Sequence, residues 1–391
     1  MKPIVLVVGT RAEAIKLIPL YLFLKEENLP VVLCATFQHF EMLQQVCDLF
    51  GVTPDYNLGV MKEDQDIFHV HSEVLNKTKQ VYKEVDPSLV IVHGDTTTTL
   101  AAAQAAFYLH IPIAHVEAGL RTGNMNAPFP EEMNRKVVGQ IATYHFTPTA
   151  FATANVLSEG APRENVFCTG NTIVDALNLI RNKILSKKLV VDPNLKRLVN
   201  ECRCKKQKMI LLTAHRRESF NGGLLCVFKT MKQFAQDHPD VFIFYPYHPN
   251  PNVLKAVEES KIKETDNIFV SGPLLHQDLV YLLMAVNFVV TDSGGIQEEA
   301  VSLGKRVLCL RDATERHEGV WEGVEVLVGT KPDKILDGLY KFYEEKEEIK
   351  PSMVYGDGNA CQRISSILKM KLNFIEDKIS DVKHQSKEIV L

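Results

Sequence analysis

Residues 287–307, NFVVTDSGGIQEEAVSLGKRV, decide how this chain folds. The apolar run Phe288-Val289-Val290 stops at Asp292-Ser293-Gly294-Gly295, and an amphipathic helix pattern follows. A buried strand, a turn bare of β-carbons and a helix make one βα unit of a parallel sheet, with the first N–H groups of the helix at the turn. Gly294 and Gly295 leave room for a bulky anion to approach that backbone, and Ser293 adds a hydroxyl. Glu298 and Glu299 repel phosphate, so one of them is placed to accept hydrogen bonds from a ribose diol. A glycine turn serving only close packing is the competing reading.

The same rhythm runs through the chain. Six β-branched runs, at 4–9, 31–36, 89–94, 111–118, 144–149 and 165–170, alternate with helical patterns such as 39–50, 66–85 and 97–110. A basic, weakly periodic stretch at 185–208 suits a connector containing a helix. A second series of strand runs then begins, at 209–214, 241–246, 267–272, 288–293, 306–311 and 324–329. Two such series predict an α/β protein of two Rossmann-like domains facing a cleft. The first domain is expected over 1–172, with a helix at 357–375 packing back on it. The second covers 173–356, and a polar tail covers 376–391.

Ligands of doubly wound sheets bind beyond the carboxyl ends of the strands, and every candidate residue sits at such an end. The first strand leads into GTRAEAIKL (9–17), which is neither a dinucleotide fingerprint nor a P-loop. Instead it offers Arg11 and, a helical turn on, Lys16, for a phosphate or a carboxylate. TAHRRESFNGG (213–223) concentrates His215, Arg216 and Arg217 at another strand end. There a histidine beside a diphosphate can carry a proton to a departing oxygen. Acids are placed at the ends of the first series: Asp95 in HGDTTTT, Glu117 in HVEAGLRTG, and Glu131, with Glu132 and Arg135, in PFPEEMNR. Asp95 and Glu131 could each merely cap a helix, but three carboxylates at neighbouring strand ends suit a reacting sugar.

Other classes find little support. The 391 residues, 46% hydrophobic and 24% charged, describe a globular protein long enough for two cores. A net charge of −4 offers no field for nucleic acid or an anionic membrane. No run is long enough to span a bilayer, and MKPIVLVVGT does not read as a signal peptide. Eight cysteines, mostly inside apolar patterns, read as ordinary thiols, and a cytoplasmic protein is expected. Asp64-Gln-Asp66 imitates a metal site of some glycosyltransferases but reads better as helix capping. His69 and His71 lie on different helix faces, so no metal is assigned.

The motifs GTRAEAIKLIPL, QHFEML, HGDTTTT, HVEAGLRTG, FPEEMNR, TGNTIVDAL, TAHRRES, HPNPNV, TDSGGIQEEA and LRDATER occur in order from about residue 3 to 370. Together they resemble the non-hydrolysing UDP-N-acetylglucosamine 2-epimerases. The resemblance implies a GT-B-like fold, a homodimer and no added cofactor. It also implies reversible interconversion of UDP-GlcNAc and UDP-ManNAc through enzyme-bound 2-acetamidoglucal, feeding surface polysaccharide synthesis. On the matching motifs it implies that Asp95, Glu117 and Glu131 serve proton transfer and cation stabilisation, with His215 near the phosphates. Arg11, Ser293, Gly294, Gly295 and Glu299 would contact UDP, and Lys16 and Arg135 would support them with charge.

Some positions depart from the family pattern. Ala12 replaces a usual proline, Phe40 a usual arginine, and His317 a frequent proline. Glu73 stands where many bacterial members carry an arginine that binds a second, activating UDP-GlcNAc, so that regulation is not expected here. Epimerisation of a related UDP-sugar, hydrolytic epimerisation, glycosyl transfer, and nucleotide-sugar binding without turnover remain the other readings. Three retained carboxylates speak against the last, because binding UDP needs none of them.

Overall fold

Each of the apolar runs read as a strand forms one, and every pairing is parallel. The computed structural model describes residues 2–372 except 39, 63, 64, 217, 218, 346 and 348. Asp64, Arg217 and the tail expected at 376–391 lie outside the described residues. The chain divides into two compact units, Met1–Ala176 with Gly356–Leu391, and Leu177–Tyr355.

The first unit runs β1 (Ile4–Val8), α1 (Arg11–Glu26), β2 (Val31–Ala35), α2 (Phe40–Phe50), β3 (Tyr56–Asn57), α3 (Ile67–Val85) and β4 (Leu89–His93). It continues through α4 (Thr97–Tyr108), β5 (Ile113–Val116), α5 (Glu131–Ile141), β6 (Tyr144–Thr147), α6 (Ala150–Ser158) and β7 (Val166–Cys168). Its seven strands lie in the order β3-β2-β1-β4-β5-β6-β7. β1 and β4 are buried along their whole length, as strands covered on both faces must be, which is why they are unbroken apolar runs. Behind them α4 is rich in alanine. Ala101, Ala102, Ala103, Ala105 and Ala106 are all buried, and their small side chains let the helix seat closely between neighbours. β3 was not legible as a strand. It is two residues long and exists through its pairing with β2, Cys34 to Tyr56 and Ala35 to Asn57.

The unit boundary falls inside α7 (Thr172–Leu185). The second unit then holds α8 (Pro193–Cys204), β8 (Lys208–Thr213), α9 (Gly223–Asp237), β9 (Val241–Pro246), α10 (Pro251–Ser260), β10 (Ile268–Ser271) and α11 (His276–Ala285). After these come β11 (Phe288–Thr291), α12 (Gly294–Ser302), β12 (Arg306–Cys309), α13 (His317–Trp321), β13 (Glu325–Leu327) and α14 (Pro332–Glu344). The strand order is β10-β9-β8-β11-β12-β13. The stretch at 185–208, read as a connector, does contain a helix, α8, begun by Asp192 as cap with Pro193 at its first turn. It counts wholly with the second unit, where the Asp192 N–H donates to Asp278 at 2.9 Å. Phe228, Phe234, Val241, Ile243 and Val290 build the core on one side of this sheet.

A last helix, α15 (360–372), belongs to the first unit. Asp175 accepts from the N–H groups of Ala360 and Cys361 at 3.2 and 2.9 Å, capping its start, and Arg363 donates to the Thr169 carbonyl at 3.0 Å. All eight cysteines are free; Cys168 and Cys226, expected inside apolar patterns, are exposed along with Cys204. No helix among the described residues is long and apolar enough to cross a membrane.

Candidate functional site

Both sheets change direction of progression once, between β1 and β4 in the first unit and between β8 and β11 in the second. Loops leaving such adjacent strands diverge to opposite faces and leave a crevice at their carboxyl ends. The turns after these strands carry Arg11 and Asp95 in the first unit, and His215, Arg216, Ser293, Gly294 and Gly295 in the second.

In the first unit the β1–α1 turn is built by a capping box. Thr10 caps α1, while Glu13 reaches back to the N–H groups of Gly9 and Thr10 at 3.0 and 2.7 Å. Glu13 is buried and also accepts from the hydroxyls of Thr96 and Thr99, at 2.7 and 3.0 Å, tying this turn to the one after β4. Burial raises its carboxyl above the usual range, against the pull of those four donors. Arg11 is the first residue of α1, half-buried. Lys16, one turn further on, is buried and meets Oε2 of Glu117, an ion pair between residues far apart in sequence.

Glu117 follows β5 with a backbone φ of +61°, a conformation that L residues adopt at a cost. Its Oε2 also accepts from Asn171 at 2.7 Å, and Nε2 of His93 lies 3.7 Å away. Burial drives the His93 ring down to about 4, with Glu117 pulling up and Lys16 pushing down, so it is neutral at pH 7. Asp95 does not cap α4; Thr96 does, accepting from the Thr99 N–H. Asp95 instead pairs with Arg135, which also donates to Glu132 at 3.2 Å. With Asp95 23% exposed and Arg135 4%, the acid reaches solvent while its partner is enclosed. Asn134 fixes the same turn by donating to the Asp95 carbonyl at 2.7 Å. Glu131 begins α5, half-buried, one residue before the buried Glu132. Asp95 and Glu117 thus stand after the adjacent strands β4 and β5, each paired with a buried cation.

In the second unit Ser293 stands at the N-cap of α12, and its side chain makes no cap bond. The two glycines do different jobs. A β-carbon on Gly294 would run into the guanidinium of Arg316, whereas one on Gly295 would meet nothing within 4 Å. Gly294 therefore makes room for Arg316, and Gly295 keeps the mouth of the helix open. Arg316 is held by Glu298 at 3.0 Å and by Glu315, and Glu315 in turn takes Arg311 at 2.9 Å. All four are buried, two positive and two negative, as burial of ions requires. Glu298 is thereby committed to Arg316. Glu299 is buried too, its Oε1 3.0 Å from Nε2 of His276.

His215 and Arg216 follow β8, and their N–H groups both donate to Asp292, at 2.6 and 2.8 Å. The His215 ring stacks on His248, centroids 5.2 Å apart and planes 14° from parallel. Burial lowers its basicity, and Arg216 adds to that while Asp292 opposes it.

Sequence reasoning missed Glu13, His93, Asn171, Asp292 and Arg316. The Thr-x-x-Glu spacing of Thr10 and Glu13 was a readable signal for the first. The others could be found only through partners distant in sequence. Of the departures noted above, Glu73 pairs with Lys77 at 3.1 Å along α3, Phe40 packs on Phe37 at 4.9 Å, and His317 stacks on Trp321.

Comparison with known proteins agrees with this geometry. Residues 23–369 match the family model described as UDP-N-acetylglucosamine 2-epimerase. A protein of that name from Campylobacter jejuni is 43% identical over 374 residues, covering 94% of this chain and 97% of its own. Among solved structures, a UDP-GlcNAc 2-epimerase from Neisseria meningitidis bound to UDP-GlcNAc superposes with a TM-score of 0.87. It is 38% identical, over 95% of this chain and all of the other. A Staphylococcus aureus MnaA structure with UDP gives 0.86 at 38% identity, over 95% and 97% of the two chains.

Proposed function

The chain belongs to the UDP-N-acetylglucosamine 2-epimerase family, and on that footing we propose how its residues invert C2 of UDP-GlcNAc to give UDP-ManNAc. The C2–H bond has no neighbouring carbonyl to acidify it, so direct proton removal is prohibitive. When the C1–O bond to the pyrophosphate breaks, its electron pair leaves on UDP and C1 becomes cationic in character. The C2 proton then passes to a carboxylate, a C1–C2 double bond forms, and 2-acetamidoglucal and UDP remain bound. Delivery of a proton to the opposite face of C2 and re-addition of the UDP oxygen at C1 complete the inversion.

The division of labour follows from the groups each unit carries. The turn at Ser293, Gly294 and Gly295, with Arg216 and His215, holds the diphosphate, and Glu299 takes the ribose. Donors aimed at charge that grows as the bond breaks stabilise the departing UDP more than the bound substrate. Asp95, Glu117 and Glu131 serve the sugar, with Lys16 and Arg135 compensating their charge and Arg11 adding to the positive field. The observation that carries this reading is the placing of Asp95 and Glu117 after adjacent strands, each with its own buried cation. Binding UDP gives no reason for such acids, and proton transfer at carbon does. Eight free thiols support a reducing compartment, and we place the enzyme in the cytoplasm.

Incubation with UDP-GlcNAc in deuterated water, followed by NMR, tests the proposal. Deuterium at C2 and UDP-linked ManNAc are expected. Free ManNAc would mean hydrolysis, and absence of exchange would mean a binder. A milder test separates the two glycines. Gly294→Ala is expected to destabilise the fold by about 1–3 kcal/mol in urea, because the Arg316 guanidinium cannot yield without leaving Glu298 or Glu315. Gly295→Ala should leave stability unchanged or slightly raised, since alanine suits a helix, while weakening UDP binding. Equal effects of the two on stability would remove the distinction.

A further inference from the structure

Each sheet is bridged at its change of direction by one buried carboxylate. Glu13 does this in the first unit, spanning the turns after β1 and β4. Asp292 does it in the second, between the turns after β8 and β11. Asp292 is 0% exposed. Its Oδ2 accepts both the His215 and the Arg216 N–H, and its Oδ1, with no hydrogen-bond partner of its own, lies 3.3 Å from Nδ1 of His215.

We propose that Asp292 is a positioning residue for the epimerase reaction, holding the loop at 214–216 to the Ser-Gly-Gly turn and keeping the proton of His215 on Nδ1. A buried carboxylate left facing a bare imidazole nitrogen would be two acceptors in contact, so the tautomer with hydrogen on Nδ1 is the one this geometry stabilises. Nε2 is then the nitrogen available to the pyrophosphate. The groups facing His215 are Asp292 from the β11–α12 turn, Arg216 from its own turn, and His248, stacked on it from the segment after β9. Tyr245 on β9 lies near enough to feel the Asp292 charge.

Without ligand the ring is neutral at pH 7, because burial and Arg216 disfavour its charge. A diphosphate adds negative charge on the Nε2 side. The ring then takes up one proton, its Nδ1–H facing the Asp292 carboxylate and its Nε2–H donating to a phosphate oxygen. As UDP departs from C1, that second hydrogen bond strengthens against the growing charge on oxygen.

This inference rests on the reading of His215 as a diphosphate-side group, yet its first test needs neither substrate nor turnover. In the full-length enzyme labelled with ¹⁵N-histidine, the His215 signals are assigned by comparison with His215→Gln. The ligand-free wild type at pH 7 should show hydrogen on Nδ1, and saturating UDP should move both nitrogens to imidazolium positions. Hydrogen on Nε2 in the ligand-free protein overturns the proposal, whatever the epimerase assay reports. Asp292→Asn should lower the pH at which His215 titrates and cut kcat on the order of a hundredfold. In the His215→Gln background it should add little further loss. A His215 titration unmoved by Asp292→Asn, or full additivity of the two losses, equally overturns it. If Asp292→Asn does not fold, the wild-type tautomer decides alone.

Discussion

Glu117→Gln is expected to reduce epimerisation by about three orders of magnitude and to destabilise the first unit by roughly 3 kcal/mol. The two losses have separate causes. Glu117 and Lys16 are each only about 6% exposed on their side chains, so the ammonium has no water to fall back on when the carboxylate charge goes. Removing one member of a buried ion pair typically costs 3–5 kcal/mol, because the survivor stays enclosed while losing its partner's charge. Glutamine can still accept the Asn171 hydrogen bond, which holds the loss to the lower end. The catalytic loss follows from the proposed role, since an amide can neither take a proton from C2 nor oppose positive charge at C1. Turnover, C2 exchange and a urea titration measure the two effects independently. UDP affinity should change little. A variant that kept near wild-type exchange while losing stability would leave Glu117 as a structural residue and remove it from the mechanism.

The second large effect concerns acid. His93, His115 and His145 stand on the adjacent strands β4, β5 and β6, all buried. Burial is the main cause that brings them down to about 4, 3 and 4, with Arg121 pushing the same way on His115 and His145. In the unfolded chain each takes a proton near 6.5, so between about 6.5 and 4 the unfolded state binds more protons and stability falls as pH falls. It is fully present above 6.5. One such ring removes on the order of 3 kcal/mol by pH 4, and the three together roughly 9, which rivals the whole stability of an ordinary domain. Glu13 and Asp175 in the same unit are shifted upward by burial and work in the opposite sense.

The second unit carries the contrary device. Glu325 is pushed up to about 8 by burial, so its contribution is full below about 4.5 and is lost as pH rises to 8. Urea midpoints taken from pH 8.5 to 4.5, with hydrogen exchange pulsed at one fixed pH, should show β4–β6 losing protection on acidification. The strands around Glu325 should lose protection first on the alkaline side. Midpoints that stay level between pH 7 and 5 would mean the three rings are charged in the folded protein or not truly enclosed.

Why so much of the fold was readable is a matter of range. A strand covered on both faces has to be apolar throughout, and a helix lying on it has to repeat its apolar face every turn. Both demands act within about a dozen residues, so β1, β4, β8 and β11 could be located in the linear chain. Turn chemistry is equally local: Gly294-Gly295 announces its helix directly, and Thr10 with Glu13 and Asp192 before Pro193 carry the same kind of signal, unread in the linear chain. β3 escaped because two residues have no pattern of their own and become a strand only by pairing with β2.

The candidate site divides along the same line. Which residue types stand at the strand ends was determined by the sequence alone: acids in the first series, and histidine, arginine, serine and glycine in the second. Tertiary structure decided what each of them meets. Lys16 was read as a cation for phosphate or carboxylate, and folding committed it to Glu117. Asp95 was a possible cap, and folding gave it Arg135 and left the cap to Thr96. Gly294 was read as clearing the way for an anion, and folding filled its space with Arg316, leaving that task to Gly295. The physical reason is that a buried charge must find its opposite wherever the chain happens to bring one. No spacing rule encodes a partner that lies dozens of residues away on another strand.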